Sequence, residues 1–74
     1  MESVTTIPAW QLNLGMLILD KQGTIYKVIR ISRDIDSGLV FYEARAENNK
    51  YNIRTVDPYE QINICSRKKV KGEN

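Results

Sequence analysis

The chain of 74 residues contains no histidine and a single cysteine, Cys65. Without histidine the usual general base is missing, and neither a Cys-His nucleophile pair nor a standard zinc site can be assembled. The paired carboxylates, Asp34 with Asp36 and Asp57 with Glu60, lie where Asp is an ordinary turn former. One cysteine cannot form an intramolecular disulfide, which suits a reducing cytoplasm. We therefore expect a cytoplasmic protein that is not an enzyme and has no metal or cofactor.

Long apolar runs are also lacking. The longest, residues 16–19, is far below the roughly 20 residues that cross a bilayer. Residues 1–7 lack the basic start and apolar run of a signal peptide. We expect one small domain without a membrane segment, near the size at which a single core is only marginally stabilising. By association alone, such a small size is typical of an accessory protein of a phage or mobile element.

The net charge of +2 is unevenly distributed. Residues 1–66 carry seven Lys or Arg against eight Asp or Glu, whereas residues 67–74 carry four against one. The composition of these last eight residues predicts a flexible basic tail. Any affinity for nucleic acid must then depend on this tail or on the local placement of charges in the body.

Short apolar segments alternate with polar turns along the chain. Residues rich in β-branched and aromatic side chains predict five strands, at residues 15–20, 24–33, 39–46, 51–56 and 62–65. Pro58 favours a short 3₁₀ turn before the last strand. Residues 1–14, which include Pro8, show no sustained period and predict an extended arm.

Five strands without an amphipathic helix predict an all-β antiparallel meander. An open meander exposes two edge strands, and closure into a barrel removes both. We therefore predict a small five-stranded antiparallel SH3-like barrel over residues 1–66, with the arm at its start and the basic tail after it.

Alternation along the strands predicts the core, because successive side chains point to opposite faces. On the second strand Tyr26 and Val28 share a phase that Ile31 does not, so we predict one bulge or bend between them. The third strand and the remaining strands contribute the rest of the predicted core: Val40, Tyr42, Ala44, Ala46, Ile53, Ile62 and Ile64, with either Met16 and Ile18 or Leu17 and Leu19.

The run LNLGMLILDKQGTIYKVIRI, followed by a turn and FYEARAEN, resembles the KOW-type SH3-like barrel at the start of elongation factor P and related translation proteins. A Gly-Met pair opens a strand, a Gly-containing acidic turn follows, and a Tyr-x-Val strand comes next. The Pro-Gly-Lys-Gly loop of that family is replaced here by DIDSG, which has no basic residue. The resemblance therefore implies the fold and not the activity, and Tudor-like barrels share the same pattern.

Nucleic acid, DNA or RNA, or a ribonucleoprotein is the first partner that the sequence predicts. Basic side chains on three central strands can contact phosphates, and basic residues of the tail can add a salt-sensitive clamp. The predicted contacts are Lys27, Arg30, Arg33, Arg45 and Arg54 in the body, and Arg67, Lys68, Lys69 and Lys71 in the tail. The alternative is an ordinary charged outer face, neutralised in part by Glu43 and Glu47.

A protein partner is the second prediction, through Trp10, Phe41 or Tyr59. We expect Trp10 to pack over one end of the barrel, and the alternative is an exposed interface anchor. A homo-oligomer built through sheet edges or the arm is compatible with so small a core. A continuous positive stripe from Lys27 to Arg54 would favour nucleic acid, whereas interleaved acidic residues would favour a protein-binding regulator or assembly factor.

Overall fold

The computed structural model describes residues 3–66, which form six strands and one short 3₁₀ helix. The elements are β1 (Ser3–Pro8), the 3₁₀ helix (Ala9–Gln11), β2 (Leu17–Leu19), β3 (Ile25–Arg33), β4 (Val40–Ala46), β5 (Tyr51–Val56) and β6 (Gln61–Ser66). All strands belong to one antiparallel sheet in the order β1-β6-β2-β3-β4-β5. The all-β antiparallel prediction is therefore confirmed, with six strands rather than five.

The additional strand is β1, in the segment predicted as an arm. It pairs with β6 from Ser3 opposite Ser66 to Pro8 opposite Gln61. Its four central residues are Val4, Thr5, Thr6 and Ile7, all of which are β-branched and favour a strand. Pro8 occupies the last position of an edge strand, where a missing N–H is tolerated. Pro8 therefore ends β1 and does not prevent the strand.

The 3₁₀ helix lies after β1, where the sequence did not predict one. Before the last strand, where a short 3₁₀ turn was predicted, residues 57–60 form a single turn closed by a 3₁₀-type hydrogen bond from the Glu60 N–H to the Asp57 carbonyl at 3.0 Å. Within residues 3–66, β1 and β5 form the two edges of the sheet and do not pair with each other, so the sheet is open. The same part of the chain has no helix long and apolar enough to span a membrane.

The core lies on one face of the sheet, as the alternation predicted for β4. Val40, Tyr42, Ala44 and Ala46 are all buried there, with Val28, Tyr26, Ile18 and Ile62 from neighbouring strands. Met16, Ile31 and Ile64 pack against them. The prediction for Ile53 was wrong, because Ile53 pairs with Glu43, which lies on the outer face of β4. Ile53 is consequently 54% exposed.

A β-bulge at Ile29 interrupts the pairing of β3 with β4. Val28 lies opposite Ala44, and the next paired residue, Arg30, lies opposite Glu43. Because Ile29 has no partner, every later side chain of β3 changes face. Ile31 therefore joins Val28 on the inner side, as predicted.

The connection between β1 and β2 covers one end of the core with two fully buried residues, Ala9 and Leu12. A 3₁₀-type hydrogen bond from Leu12 N–H to the Ala9 carbonyl, at 3.0 Å, fixes this segment. The segment is thus an integral part of the packed domain.

Truncation of Leu12 tests this conclusion. We expect Leu12→Ala to lower the free energy of unfolding by about 2 to 5 kcal/mol, because it removes a fully buried side chain and leaves a cavity. The matched control is Leu14→Ala, two residues later and 61% exposed, for which we expect a change within about 0.5 kcal/mol. Urea unfolding measures both, and equal effects would show that the connection does not pack as described.

The turn between β2 and β3 is fixed by Asp20. Its Oδ1 accepts the N–H groups of Gln22 and Thr24, both at 2.9 Å, and its Oδ2 accepts the Tyr26 hydroxyl at 3.2 Å. These hydrogen bonds hold the pKa of Asp20 below its ordinary value, and the bond from the Thr24 N–H has the largest effect. The ionised carboxylate is therefore the form that the folded state favours.

Acid should accordingly weaken the fold through Asp20. A carboxyl whose pKa is lower in the folded state stabilises fully above its unfolded pKa, near 4, and loses that contribution as pH falls through the folded pKa. We expect Asp20→Asn, which keeps the Oδ1 acceptor, to reduce the loss of stability between pH 5 and pH 2. Asp36→Asn is the control, because the Asp36 carboxylate accepts no hydrogen bond within residues 3–66. The measurement is the urea midpoint against pH, and an unchanged acid response in D20N would contradict the assignment.

Candidate interaction surface

The register of β3, β4 and β5 separates the five basic residues of the body that the sequence predicts as nucleic-acid contacts. Lys27 and Arg45 lie directly opposite each other on the outer face. Arg30 shares that face, but its Nε lies 3.5 Å from Oε1 of Glu43. Arg33 pairs with Val40 and Arg54 with Tyr42, so both begin on the inner face. No continuous positive stripe runs from Lys27 to Arg54.

Arg33 holds the 3₁₀ helix against the end of the sheet. Its Nη2 donates to the carbonyl oxygens of Trp10, at 3.0 Å, and of Leu12, at 2.9 Å. These carbonyls lie at the C-terminal end of the 3₁₀ helix, where backbone acceptors lack partners within the helix. A guanidinium suits this position because its donors form a rigid fork. The sequence predicts a nucleic-acid contact at Arg33, and in the fold its guanidinium binds two backbone carbonyls, an arrangement that we call the Arg33 clamp.

Arg54 is bound to the turn before β6. Its Nη2 lies 2.7 Å from Oε2 of Glu60, and this hydrogen bond is the main cause that raises the pKa of Arg54. Both side chains are partly exposed, so the pair contributes little to the free energy of folding. It does orient the β5–β6 turn relative to β5.

The four basic residues of the tail lie outside the described residues: Arg67, Lys68, Lys69 and Lys71. In residues 3–66, no group of three or more His, Cys, Asp or Glu side chains is arranged to hold a metal ion.

Three connections meet at the end of the sheet where β1, β3 and β5 finish. The Trp10 N–H donates to the Pro58 carbonyl at 3.0 Å, and the Ala9 N–H to the Glu60 carbonyl at 2.9 Å. In the β3–β4 turn, a Cβ built on Gly38 would lie 3.8 Å from Cγ of Pro58. The 3₁₀ helix, the β3–β4 turn and the β5–β6 turn therefore form one continuous surface.

Each of the three connections contributes an exposed large apolar side chain to this surface, and we call it the Trp10 end. Trp10 is 48% exposed, Ile35 97% and Tyr59 74%. The prediction that Trp10 packs over the core is wrong, since the adjacent Ala9 and Leu12 fill that position. Phe41 is half-buried on the outer face, one residue after β4 begins, and is not part of this end.

Local hydrogen bonds fix the turns that present these side chains. Asp34 Oδ2 accepts the Ser37 hydroxyl at 2.6 Å and the Ser37 N–H at 2.9 Å, and these bonds hold the pKa of Asp34 below its ordinary value. Asp57 Oδ1 similarly accepts the Tyr59 N–H at 2.9 Å. The sequence did not predict Ile35 as an interface residue. The available signal was a large apolar residue inside the otherwise polar turn DIDSG.

Two grooves lie elsewhere on the molecule. An open groove of about 590 Å³ on the outer face contains Lys27, Arg45 and Glu47 above an apolar floor of Leu17 and Ile25. A groove of about 390 Å³ on the inner face is lined by Arg54 and Asn52 of β5 and by residues of β2 and β6. The charged residues of the outer groove carry both signs.

The clamp formed by Arg33 generates a prediction about Trp10, the single tryptophan of the chain. We expect Arg33→Met, which keeps the aliphatic stem, to lower the free energy of unfolding by about 1 kcal/mol and to increase acrylamide quenching of Trp10 fluorescence. Arg30→Met is the matched control, because in the described part of the chain the Arg30 side chain makes only an ion pair with Glu43, at the surface. Equal quenching in the two variants would contradict the clamp.

Comparison with models of protein families, with curated proteins and with solved structures finds no match. Function is therefore inferred from the geometry of residues 3–66.

Proposed function

We propose that this protein is a non-catalytic binding module that docks a protein partner on the Trp10 end, as a regulator or assembly factor. The observation that carries the proposal is the meeting of three connections that expose Trp10, Ile35 and Tyr59 on hydrogen-bonded backbone. Tryptophan and tyrosine are frequent interface anchors. A backbone that is already fixed lowers the ordering cost of binding.

The charges around the Trp10 end define the chemistry of the partner. The surrounding turns carry four carboxylates: Asp34, Asp36, Asp57 and Glu60. Arg33 and Arg54, the nearby cations among residues 3–66, are engaged by carbonyl oxygens and by Glu60, respectively. The complementary partner therefore presents an apolar anchor flanked by Lys or Arg. Arg30 pairs with Glu43 and Arg54 pairs with Glu60, so acidic residues interrupt the basic ones. This interleaving of charges favours a protein partner over nucleic acid.

We assign the open sheet to the SH3-like barrels as part of the same proposal. The support is the order β6-β2-β3-β4-β5, which places the last strand beside the first strand of the meander. The inner groove is lined by β5 on one side and by β2 and β6 on the other, so the sheet curves around its core. The loops at one end of such a barrel are available for binding.

Truncation of Trp10 tests the proposal. A partner recovered in a stoichiometric complex and then purified should bind Trp10→Ala at least about 30-fold more weakly, since truncating a central anchor costs about 2 kcal/mol or more. Leu14→Ala, an exposed apolar residue of the same connection, should bind with unchanged affinity. Titration calorimetry measures both, and equal affinities for the two variants would exclude the Trp10 end as the docking site.

Nucleic-acid binding is the second candidate, and one row of the outer face favours it. Lys27 and Arg45 are cross-strand partners, and Tyr51 lies next in the row, 51% exposed. Neither cation lies in a salt bridge within residues 3–66. Two adjacent cations beside an exposed ring can contact phosphate and stack on a base.

Salt dependence tests this second candidate. If the row binds single-stranded RNA or DNA, the double variant K27A/R45A should reduce the slope of log affinity against log salt by roughly 1.4, because two phosphate contacts are lost. The control, K21A/K50A, removes the same charge from two exposed turn positions. Fluorescence anisotropy measures the slopes, and an absence of binding at low salt would exclude this function.

A further inference from the structure

Strand β5 has the reverse of the polarity expected for its two faces, with polar side chains on the core side and large apolar side chains on the outer side. Its polar Asn52 and Arg54 lie opposite Ala44 and Tyr42, on the core side. Tyr51 and Ile53 lie on the outer side and are 51% and 54% exposed. An edge strand with two half-exposed large apolar side chains favours association.

The hairpin between β4 and β5 determines which backbone groups face the free edge. The Ala46 N–H donates to the Lys50 carbonyl at 2.9 Å, so this pair is a hydrogen-bonded one. Because hydrogen-bonded and non-bonded pairs alternate in antiparallel sheets, Asn52, Arg54 and Val56 direct their backbone groups toward β4. Tyr51, Ile53 and Thr55 then direct theirs away from β4, where residues 3–66 supply no further strand.

The β5 edge lacks the features that keep edge strands apart. β5 contains no proline and no lysine, and its pairing with β4 is continuous, without a bulge. Its single charged residue, Arg54, is engaged by Glu60 of the same chain at 2.7 Å. The opposite edge, β1, ends at Pro8, and Thr5 and Thr6 are its exposed side chains among residues 5–8.

We propose that the β5 edge pairs with the β5 edge of a second copy of this chain, antiparallel about a twofold axis at Ile53. This register places Ile53 opposite Ile53 of the second copy, and Tyr51 opposite Thr55 of the second copy. The backbone groups of Tyr51, Ile53 and Thr55, which point away from β4, then form N–H···O bonds with the same three residues of the second copy. Arg54 lies opposite an uncharged Asn52, so no like charges meet, and the outward Ile53 side chains form a cross-strand apolar pair.

The dimer has a consequence for the Trp10 end, which lies where β5 finishes. Antiparallel pairing directs the two Trp10 ends toward opposite ends of a continuous twelve-stranded sheet. The inference does not depend on what the Trp10 end binds, because its residues are distinct from those of β5.

Substitution of Ile53 by a charged residue of either sign tests the dimer. Sedimentation equilibrium of the full chain, over a concentration series up to the millimolar range, should show a monomer and dimer for the wild type. Ile53→Lys and Ile53→Glu should each be monomeric, because like charges then lie directly opposite, and an equimolar mixture should restore a heterodimer. Thr6→Lys, on the β1 edge, should dimerise like the wild type.

A second measurement covers the case in which a variant fails to fold. Amide hydrogen exchange of the wild type should slow at Tyr51, Ile53 and Thr55 as concentration rises, while the amides of Asn52 and Arg54 should not respond. A wild type that stays monomeric throughout the series, or an Ile53→Lys variant that dimerises normally, would overturn the proposal. Concentration-dependent protection on β1 in place of β5 would overturn it as well.

Discussion

The unpaired residue Ile29 determines how the rest of this small sheet is used. Side chains alternate along a strand, so one extra residue exchanges the faces of everything after it. Without the bulge, Arg30 would lie opposite Tyr42 in the core, and Arg33 would face outward. With it, Arg30 meets Glu43 and Arg33 starts from the inner side. The burial of a continuous apolar face by β3 and the placement of its arginines therefore have the same cause.

The clamp at Arg33 connects this register to the proposed docking surface. Because the bulge brings Arg33 to the inner side at the end of β3, its guanidinium reaches the carbonyls of Trp10 and Leu12. Leu12 fills the core below, and Trp10 is held outside, beside the β5–β6 turn. A residue that resembles a nucleic-acid contact thus positions an apolar surface. The acidic turns at this end lie apart from Lys27 and Arg45, the basic pair farther along the outer face.

The sequence predicted the elements that depend on local alternation. The inner face of β4, the partner residues Tyr26 and Val28, and the need for one bulge before Ile31 all follow from a period of two. The outward position of Ile53 does not, because it is set by the length and geometry of the β4–β5 turn, in which Asn49 has φ 68°. Likewise the pairing of β1 with β6 joins residues that are far apart in the sequence, and Arg33 binds carbonyls more than 20 positions away. Local alternation does not predict such long-range contacts.

The register of β3 with β4 determines both the inner face of β3 and the position of Arg33, and cross-strand proton contacts measure it directly. Nuclear Overhauser spectra of the isotope-labelled protein should show a strong contact between the Hα protons of Ile31 and Tyr42, which lie directly opposite each other, and no such contact between those of Arg30 and Tyr42. A strong Hα contact of Arg30 with Tyr42 in place of Ile31 would show an uninterrupted ladder, place Arg33 on the outer face, and rule out the bulge on which the proposed docking surface depends.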